Sequence, residues 1–291
     1  PTTFGGTLPA ENYGKVDSRG FEVAATYDNN WGDFKHGITA NFSYAGNKVI
    51  KADFASNGLE VDNPNGKTLG YIATYKSTGI IRTQKELDAL PAGYTILGRV
   101  PVLGSLNYED ISGLDGTPDG KIDTYDRQVI SKYGMGNIPY SAGLNFDLSW
   151  KGFSASIFFQ SLFGHKKIYT DNWGRGFPLD ARLYAFWGDA WSVENPDGKY
   201  PAISGPAEPN SSMASSFWYE KGGFIRLKNV SIGYDLPRQL LDHVNIKKIR
   251  FYVSGTNLFY LSGFQWHNPE MPSLASYPNM KQFSFGLNVT L

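Results

Sequence analysis

Large apolar residues alternate with small or polar ones along much of the chain, and this period of two predicts β-strands. The clearest case is the final segment, which runs from Phe283 to Leu291. Similar alternation fills residues 21–28, 38–44, 142–150, 153–160, 223–235 and 249–254. Near Lys228 the phase slips, which predicts a β-bulge. The pattern therefore predicts about seven strands.

The predicted strands are about ten residues long, which suits a tilted strand crossing a membrane better than a strand of a soluble sheet. The links between them alternate strictly in length. Short links lie at 29–33, 151–152 and 236–246, and long links lie at 47–138, 164–222 and 261–280. Short periplasmic turns and long outer loops are typical of outer-membrane barrels. We therefore expect the three long segments to lie outside the cell.

Two links contain helix signals. Pro237 opens the segment 236–246, in which apolar residues share one helical face, so we expect a short helix there. Thr83 and Glu86 have the spacing of a capping box, which predicts a second short helix over residues 84–90.

The amino-acid composition excludes several classes of protein. The 27 Lys and Arg residues balance the 27 Asp and Glu residues, which argues against a nucleic-acid partner. The absence of cysteine excludes disulfide scaffolds and thiolate zinc sites. Mean hydropathy is −0.34, and no apolar run approaches the ~18 residues of a spanning helix. A 15% aromatic content with 33 glycines suits a membrane β-barrel, whose strands escape hydropathy analysis.

Seven strands alone would leave two unpaired sheet edges, which cannot lie in lipid. Either further strands lie within 47–138 or the chain is part of a larger barrel. The chain begins at Pro1 without a basic and apolar leader, so we expect a mature, processed or partial chain.

Six segments, in the same order along the chain, resemble the C-terminal part of the SusC/RagA-type TonB-dependent outer-membrane transporters of Bacteroidetes. They are residues 12–22 (NYGKVDSRGFE), 41–47 (NFSYAGN), 115–123 (DGTPDGKID), 150–153 (WKGF), 224–237 (FIRLKNVSIGYDLP) and 251–259 (FYVSGTNLF). The Tyr277-Pro278 pair before the last strand also fits.

The resemblance implies an all-β fold, the C-terminal portion of an antiparallel transmembrane β-barrel of about 22 strands with long extracellular loops. Residues 1–291 would then form one barrel segment, without the plug domain. The resemblance also implies a location in the outer membrane, import of oligosaccharides or peptides, and no enzymatic activity. The implied partners are a SusD-like surface lipoprotein, the TonB complex acting through the absent N-terminal region, the remainder of the barrel and membrane lipid.

An acidic loop has the spacing of a calcium-binding loop, in which alternate oxygen ligands wrap one ion. Gly120 occupies the sharp turn, and the candidate ligands are Asp115, Thr117, Asp119, Lys121 through its carbonyl, Asp123 and Asp126. Thr at the third position and Asp at the twelfth depart from the usual pattern. The alternative is a polar turn that folds without metal through Asx-turn hydrogen bonds.

Catalytic signals are weak. The four histidines form no metal-ligand pair, and we interpret them as solvated loop residues. Nucleophile-elbow, phosphate-loop and dinucleotide motifs do not occur in the sequence.

The outer segment 164–222 is rich in tryptophan, and stacked aromatic faces suit sugar rings. The candidate cargo contacts are Trp173, Trp187, Trp191 and Trp218. The alternative interpretation is an interfacial aromatic girdle or packing within the loops.

Two other functions stay open at this stage, a soluble carbohydrate-binding β domain and a structural or adhesive outer-membrane barrel. A soluble sandwich would have charged residues on its outer face. Here the face opposite the large apolar residues is mostly Ser, Gly, Asn and Thr, which suits a water-filled lumen better.

Overall fold

The computed structural model describes residues 12–55, 58–168, 185–203, 211, 213–243, 246–272 and 276–291. The strands in these ranges are β1 (Lys15–Trp31), β2 (Phe34–Lys51), β3 (Ile72–Tyr75), β4 (Ser77–Ile80), β5 (Thr95–Ile96), β6 (Leu106–Tyr108), β7 (Lys121–Ile122), β8 (Arg127–Ser131), β9 (Tyr140–Trp150), β10 (Phe153–Phe163), β11 (Lys166–Ile168), β12 (Tyr219–Lys221), β13 (Phe224–Asp235), β14 (Lys248–Ser262) and β15 (Gln282–Thr290).

Seven long strands form one antiparallel sheet in the order β1-β2-β9-β10-β13-β14-β15. Each long strand therefore pairs with the next long strand along the chain, as in an up-and-down barrel wall. All seven overlap the predicted segments, and several extend beyond them. Within the described residues the sheet is open, and β1 and β15 are its edges. The predicted all-β antiparallel fold is confirmed.

Three of the strands exceed the predicted length of about ten residues by five or more. β1 has 17 residues, β2 has 18 and β14 has 15. The sequence underestimates the lengths of β1 and β2 because the two strands stay paired beyond the alternating segments. The end of β2 also bonds to the loop that follows, where Val49 N donates to Lys67 O and Gly66 N donates to Val49 O.

The turns and the bulge follow from local sequence. Lys151 and Gly152 both have positive φ, +44° and +86°, as a two-residue type I′ hairpin requires. The predicted bulge is confirmed, because the β13 register shifts between Leu227 and Asn229 against both neighbouring strands.

The helices are short. Thr83 caps α1 (Gln84–Asp88) with the predicted capping box. In the part of the predicted helix 236–246 that the structure describes, residues 236–243 and 246, the helical element is one 3₁₀ turn, Arg238–Leu240, preceded by Pro237. Further 3₁₀ turns cover Glu60–Asp62, Thr124–Asp126 and Ala185–Asp189. Within the described ranges, no helix combines the length and apolar character needed to cross a membrane.

The two longer connections share one hydrophobic core above the long-loop end of the sheet. A parallel bridge joins Tyr75 to Ser215, and Ala202 N donates to Gly104 O. The fully buried members of this core include Ile96, Leu106 and Ile122. The loops therefore fold into a compact body instead of extending separately from the sheet.

Candidate functional site: the membrane surface and the outer loops

One face of the sheet has a continuous row of aromatic residues at its short-turn end. Directly paired residues share a face, so the register fixes the row without reference to side-chain rotamers. It crosses six strands in the order Trp31, Phe34, Trp150, Phe153, Tyr234 and Phe251. Several members contact each other, as in the Phe153–Tyr234 pair, whose ring centroids lie 4.4 Å apart.

A second aromatic row lies on the same face at the long-loop end. It crosses four strands in the order Phe21, Tyr44, Tyr140 and Phe163. The Tyr44–Tyr140 and Tyr140–Phe163 ring centroids are each 5.3 Å apart.

The two rows are ten positions apart on each of the four strands that have both. The pairs are Phe21 and Trp31, Phe34 and Tyr44, Tyr140 and Trp150, and Phe153 and Phe163. Ten residues at about 3.3 Å each span about 33 Å, which becomes about 25 Å along the normal of a strand tilted by about 40°. This is the height of the apolar band that outer-membrane barrels present to lipid between two aromatic girdles.

The band between the rows is apolar and exposed. Val23 is 58% exposed and Val253 is 44% exposed, while Trp31, in the row at the short-turn end, is 70% exposed. Water would penalise so extensive an exposed apolar belt, and a lipid environment would not. The belt therefore argues against the soluble-domain alternative.

The opposite face is polar and consists mainly of small side chains. Its hydroxyl groups bond across strands, as in the Ser43–Ser141 pair at 2.6 Å. Near the short turns this face contains a groove of about 750 Å³. Asp28, Asp147 and Arg250 are among the charged residues that line it. A face of this composition suits an aqueous lumen.

The candidate cargo tryptophans lie inside the outer loop core. Trp187, Trp191 and Trp218 are 3%, 9% and 1% exposed, and Trp173 lies outside the described residues. The Trp218 indole Nε1 donates to Ser211 O at 2.8 Å, and its ring stacks 6.4 Å from that of Tyr200. Loop packing therefore explains the three described tryptophans. Their contact with cargo stays a prediction that their burial does not support.

The acidic loop is closed by hydrogen bonds from its own backbone. Asp115, Asp119 and Asp123 each accept from the N–H two residues further on, at 2.8–3.0 Å. These are Asx turns. Thr117 also donates its hydroxyl to Asp115 Oδ1 at 2.9 Å. Lys121 pairs in parallel with Thr95 in the short β5–β7 ladder.

Asp126, the twelfth position of the loop, is fully buried. It accepts the N–H groups of Ile111, Ser112 and Asp123 at 2.8, 3.2 and 2.7 Å, and burial raises its pKa. Across the described ranges, no group of three or more His, Cys, Asp or Glu side chains is arranged to hold a metal ion. Calcium binding therefore stays a prediction, and these hydrogen bonds favour its alternative, the polar turn that folds without metal.

Sequence reasoning missed a pair of buried cations at the long-loop end of the polar face. Arg226 is 1% exposed, and its Nε lies 2.7 Å from Glu270 Oε2 in an ion pair. Its Nη2 donates to Asn268 Oδ1 at 2.6 Å, and its guanidinium lies 5.0 Å from the Tyr260 ring. Arg226 thus fixes residues 263–272, which we call the tucked loop, against the polar face.

Lys167 holds the same loop from β11. Its Nζ donates to the carbonyl oxygens of Asn268, Pro269 and Met271, and it lies 4.8 Å from the Phe264 ring centroid. Burial lowers the pKa of Lys167 to about 8. The nearby His165 is 3% exposed, so our interpretation of it as a solvated loop residue was wrong. The sequence could not identify these residues, because none of them belongs to a recognisable motif.

Comparison with known proteins gives consistent relatives. The chain is 27% identical to TonB-dependent receptor P3 of Formosa agariphila over 99% of its length, and 26% identical to TonB-dependent receptor P26 of the same organism over 100%. In each case it spans about 30% of the relative's length. No protein-family model matches.

Solved structures give the same fold. A chain of the RagAB peptide transporter superposes with a TM-score of 0.75 at 20% identity, covering 99% of this chain and 31% of that one. The RagAB peptide importer in the open-open state gives 0.76 at 20% identity, covering 100% of this chain and 30% of that one. By name, the sequence relatives are TonB-dependent receptors, and the solved relatives are a peptide transporter and a peptide importer.

Proposed function

The chain is a relative of the TonB-dependent receptors of the outer membrane, and we propose that it forms part of the wall and outer loops of a nutrient transporter of the SusC/RagA type. The observation that supports this most directly is the pair of aromatic rows, about 25 Å apart across the membrane. A wall with an apolar outer face and a polar inner face is what a water-filled import channel requires.

We place the long-loop end outside the cell and the short turns in the periplasm, following the usual asymmetry of these barrels. The outer loop core then faces the medium, where cargo arrives. The polar groove at the short turns lies at the periplasmic end of the lumen. The remainder of the barrel would pair with the edges of β1 and β15.

The cargo that we propose is an oligomeric nutrient, an oligosaccharide or a peptide. The aromatic argument for oligosaccharides loses weight because Trp187, Trp191 and Trp218 are buried. The solved relative is named as a peptide transporter, which makes peptides an equal candidate. The proposed partners are a SusD-like surface lipoprotein docked on the outer loops, and the TonB complex acting through the rest of the receptor.

Deletion of the full-length receptor gene, followed by growth on single nutrient sources, tests this proposal. Loss of growth on one class of oligosaccharide or peptide, restored by the wild-type gene, is the expected result. Growth that is unchanged on every oligomeric source, with loss of surface attachment instead, would favour the adhesive barrel. Monomeric sugars and amino acids serve as the control, since porins admit them.

A further inference from the structure

A second cavity lies on the apolar face, just beyond the aromatic row at the long-loop end, which we call the outer row. It has a volume of about 420 Å³ and is lined by Asp17, Arg19, Tyr44, Gly46, Asn47, Lys48 and Ile50. The register pairs Arg19 with Gly46 and Asp17 with Lys48, two and four positions beyond the Phe21–Tyr44 pair. An even offset keeps the side chains on the lipid-facing side of the strands.

The cavity exists because Gly46 has no side chain. A Cβ at this position would lie 2.4 Å from the Tyr44 hydroxyl oxygen and 3.5 Å from the Tyr133 hydroxyl oxygen. The two hydroxyl oxygens are themselves 3.4 Å apart. The two phenol hydroxyls therefore lie next to the space that a side chain at position 46 would enter.

The rim of the cavity is basic. Arg19 is oriented by Asp17, whose Oδ2 lies 2.8 Å from Nη2 and 2.9 Å from Nε. Lys48 faces it from β2, and Lys132 lies with its Nζ 5.1 Å from the Tyr133 ring centroid. Arg19 and Lys48 therefore outnumber the single Asp17 carboxylate in the lining of the cavity. Lys132 lies beside the cavity, next to Tyr133, and the Arg19 side chain is 85% exposed.

The depth of the cavity selects its occupant. Two residues beyond the outer row correspond to about 5 Å along the membrane normal, which is within the headgroup layer of a bilayer. Anionic phosphates lie in that layer, and the apolar band below can receive acyl chains. We propose that this cavity, with Arg19, Lys48 and Lys132 around it, binds the phosphate of a lipid headgroup in the outer leaflet. The proposal rests on the membrane orientation given under the proposed function.

Lipid binding to the purified full-length receptor in non-ionic detergent tests the site. The probe is short-chain phosphatidic acid, with phosphatidylcholine of the same chain length and inorganic phosphate as comparisons. Each cation near a membrane surface strengthens anionic lipid binding by roughly fivefold, so the double variant Arg19→Gln/Lys48→Gln should bind phosphatidic acid about 25-fold more weakly. The single variant Lys132→Gln should lose about fivefold.

The matched control removes two exposed cations of the outer loops, Lys85→Gln/Lys199→Gln, and should bind within twofold of wild type. The proposal would be overturned if Arg19→Gln/Lys48→Gln and Lys132→Gln both bound phosphatidic acid as wild type does. It would also be overturned if the control lost as much binding, or if phosphatidylcholine bound as tightly as phosphatidic acid. Inorganic phosphate that binds as tightly as phosphatidic acid would also overturn it, in favour of free phosphate. A receptor absent from the membrane fraction would refute the proposed function instead, so the two failures are distinguishable.

Discussion

The Arg226–Glu270 ion pair gives the sharpest test of how the tucked loop is held. In the variant Glu270→Gln, the Arg226 charge stays buried without its carboxylate. Removing one partner of a buried pair costs about 3–5 kcal/mol. The new amide oxygen still accepts a hydrogen bond worth about 1 kcal/mol, and Asn268 Oδ1 remains at 2.6 Å. We therefore expect the tucked loop to lose about 2–4 kcal/mol of local stability.

Hydrogen exchange of the full-length protein measures this loss directly. A change of 2–4 kcal/mol corresponds to amide exchange that is roughly 30-fold to almost 1,000-fold faster. Among the amides to follow is that of Met271, whose N–H donates to Asn268 O at 3.0 Å. Exchange should stay unchanged in the strands β1, β2 and β9, because the ion pairs that Glu270 makes with the sheet go to Arg226 and Lys228 of β13.

The control variant is Asp242→Asn, which breaks the exposed Arg238–Asp242 pair at 3.8 Å. Exposed pairs contribute about 0–1 kcal/mol, so the control should alter exchange little anywhere. Unaltered exchange of the tucked loop in Glu270→Gln, or an equal increase in the control, would refute the argument that the buried pair holds the loop.

Three further predictions concern the outer core, the membrane face and the acidic loop. Trp218→Ala should destabilise the outer loops by about 3–5 kcal/mol in a thermal unfolding assay, while Val193→Ala, which truncates an 80% exposed side chain, should have no measurable effect. Ile157→Arg, near the middle of the apolar band, should cost about 2–4 kcal/mol and reduce the folded receptor in membranes, whereas Ser156→Arg on the lumen face should be tolerated. Calcium titration should produce no heat, since backbone N–H groups already bond the loop carboxylates; a heat that Asp119→Ala abolishes would instead establish the calcium site.

Much of the sheet could be predicted from the sequence because a strand with one lipid-facing side leaves a period of two. The seven long strands, the short turns and the bulge at Lys228 all follow from that pattern. The loops could not be predicted in this way, since their short strands have two to five residues each and pair across distant parts of the chain. Their folding depends on the shared core, which has no local sequence signature.

The aromatic residues fall into two groups, of which only the first could be assigned a role from the sequence. The girdle residues were detectable, because aromatic pairs such as Phe34 and Tyr44 stand ten positions apart on successive strands. For the conspicuous tryptophans of the long loop, the sequence left cargo contact open against an aromatic girdle or loop packing, and those that the structure describes are buried. Tryptophan in a long loop signals a hydrophobic core as readily as a binding surface, and only burial separates the two.

The bulge links the membrane wall to the tucked loop. On the short-turn side of the bulge, the odd-numbered residues Asn229, Ser231 and Gly233 lie on the polar face. If the strand continued without a bulge, even-numbered residues such as Arg226 would lie on the lipid-facing side. The extra residue at Lys228 reverses the alternation, and Arg226 instead pairs with Gln160 on the polar face. A lipid-facing arginine costs up to about 2–4 kcal/mol, depending on depth, whereas here the same side chain binds Glu270. One inserted residue thus converts a charge that the membrane would reject into the anchor of a loop over the lumen.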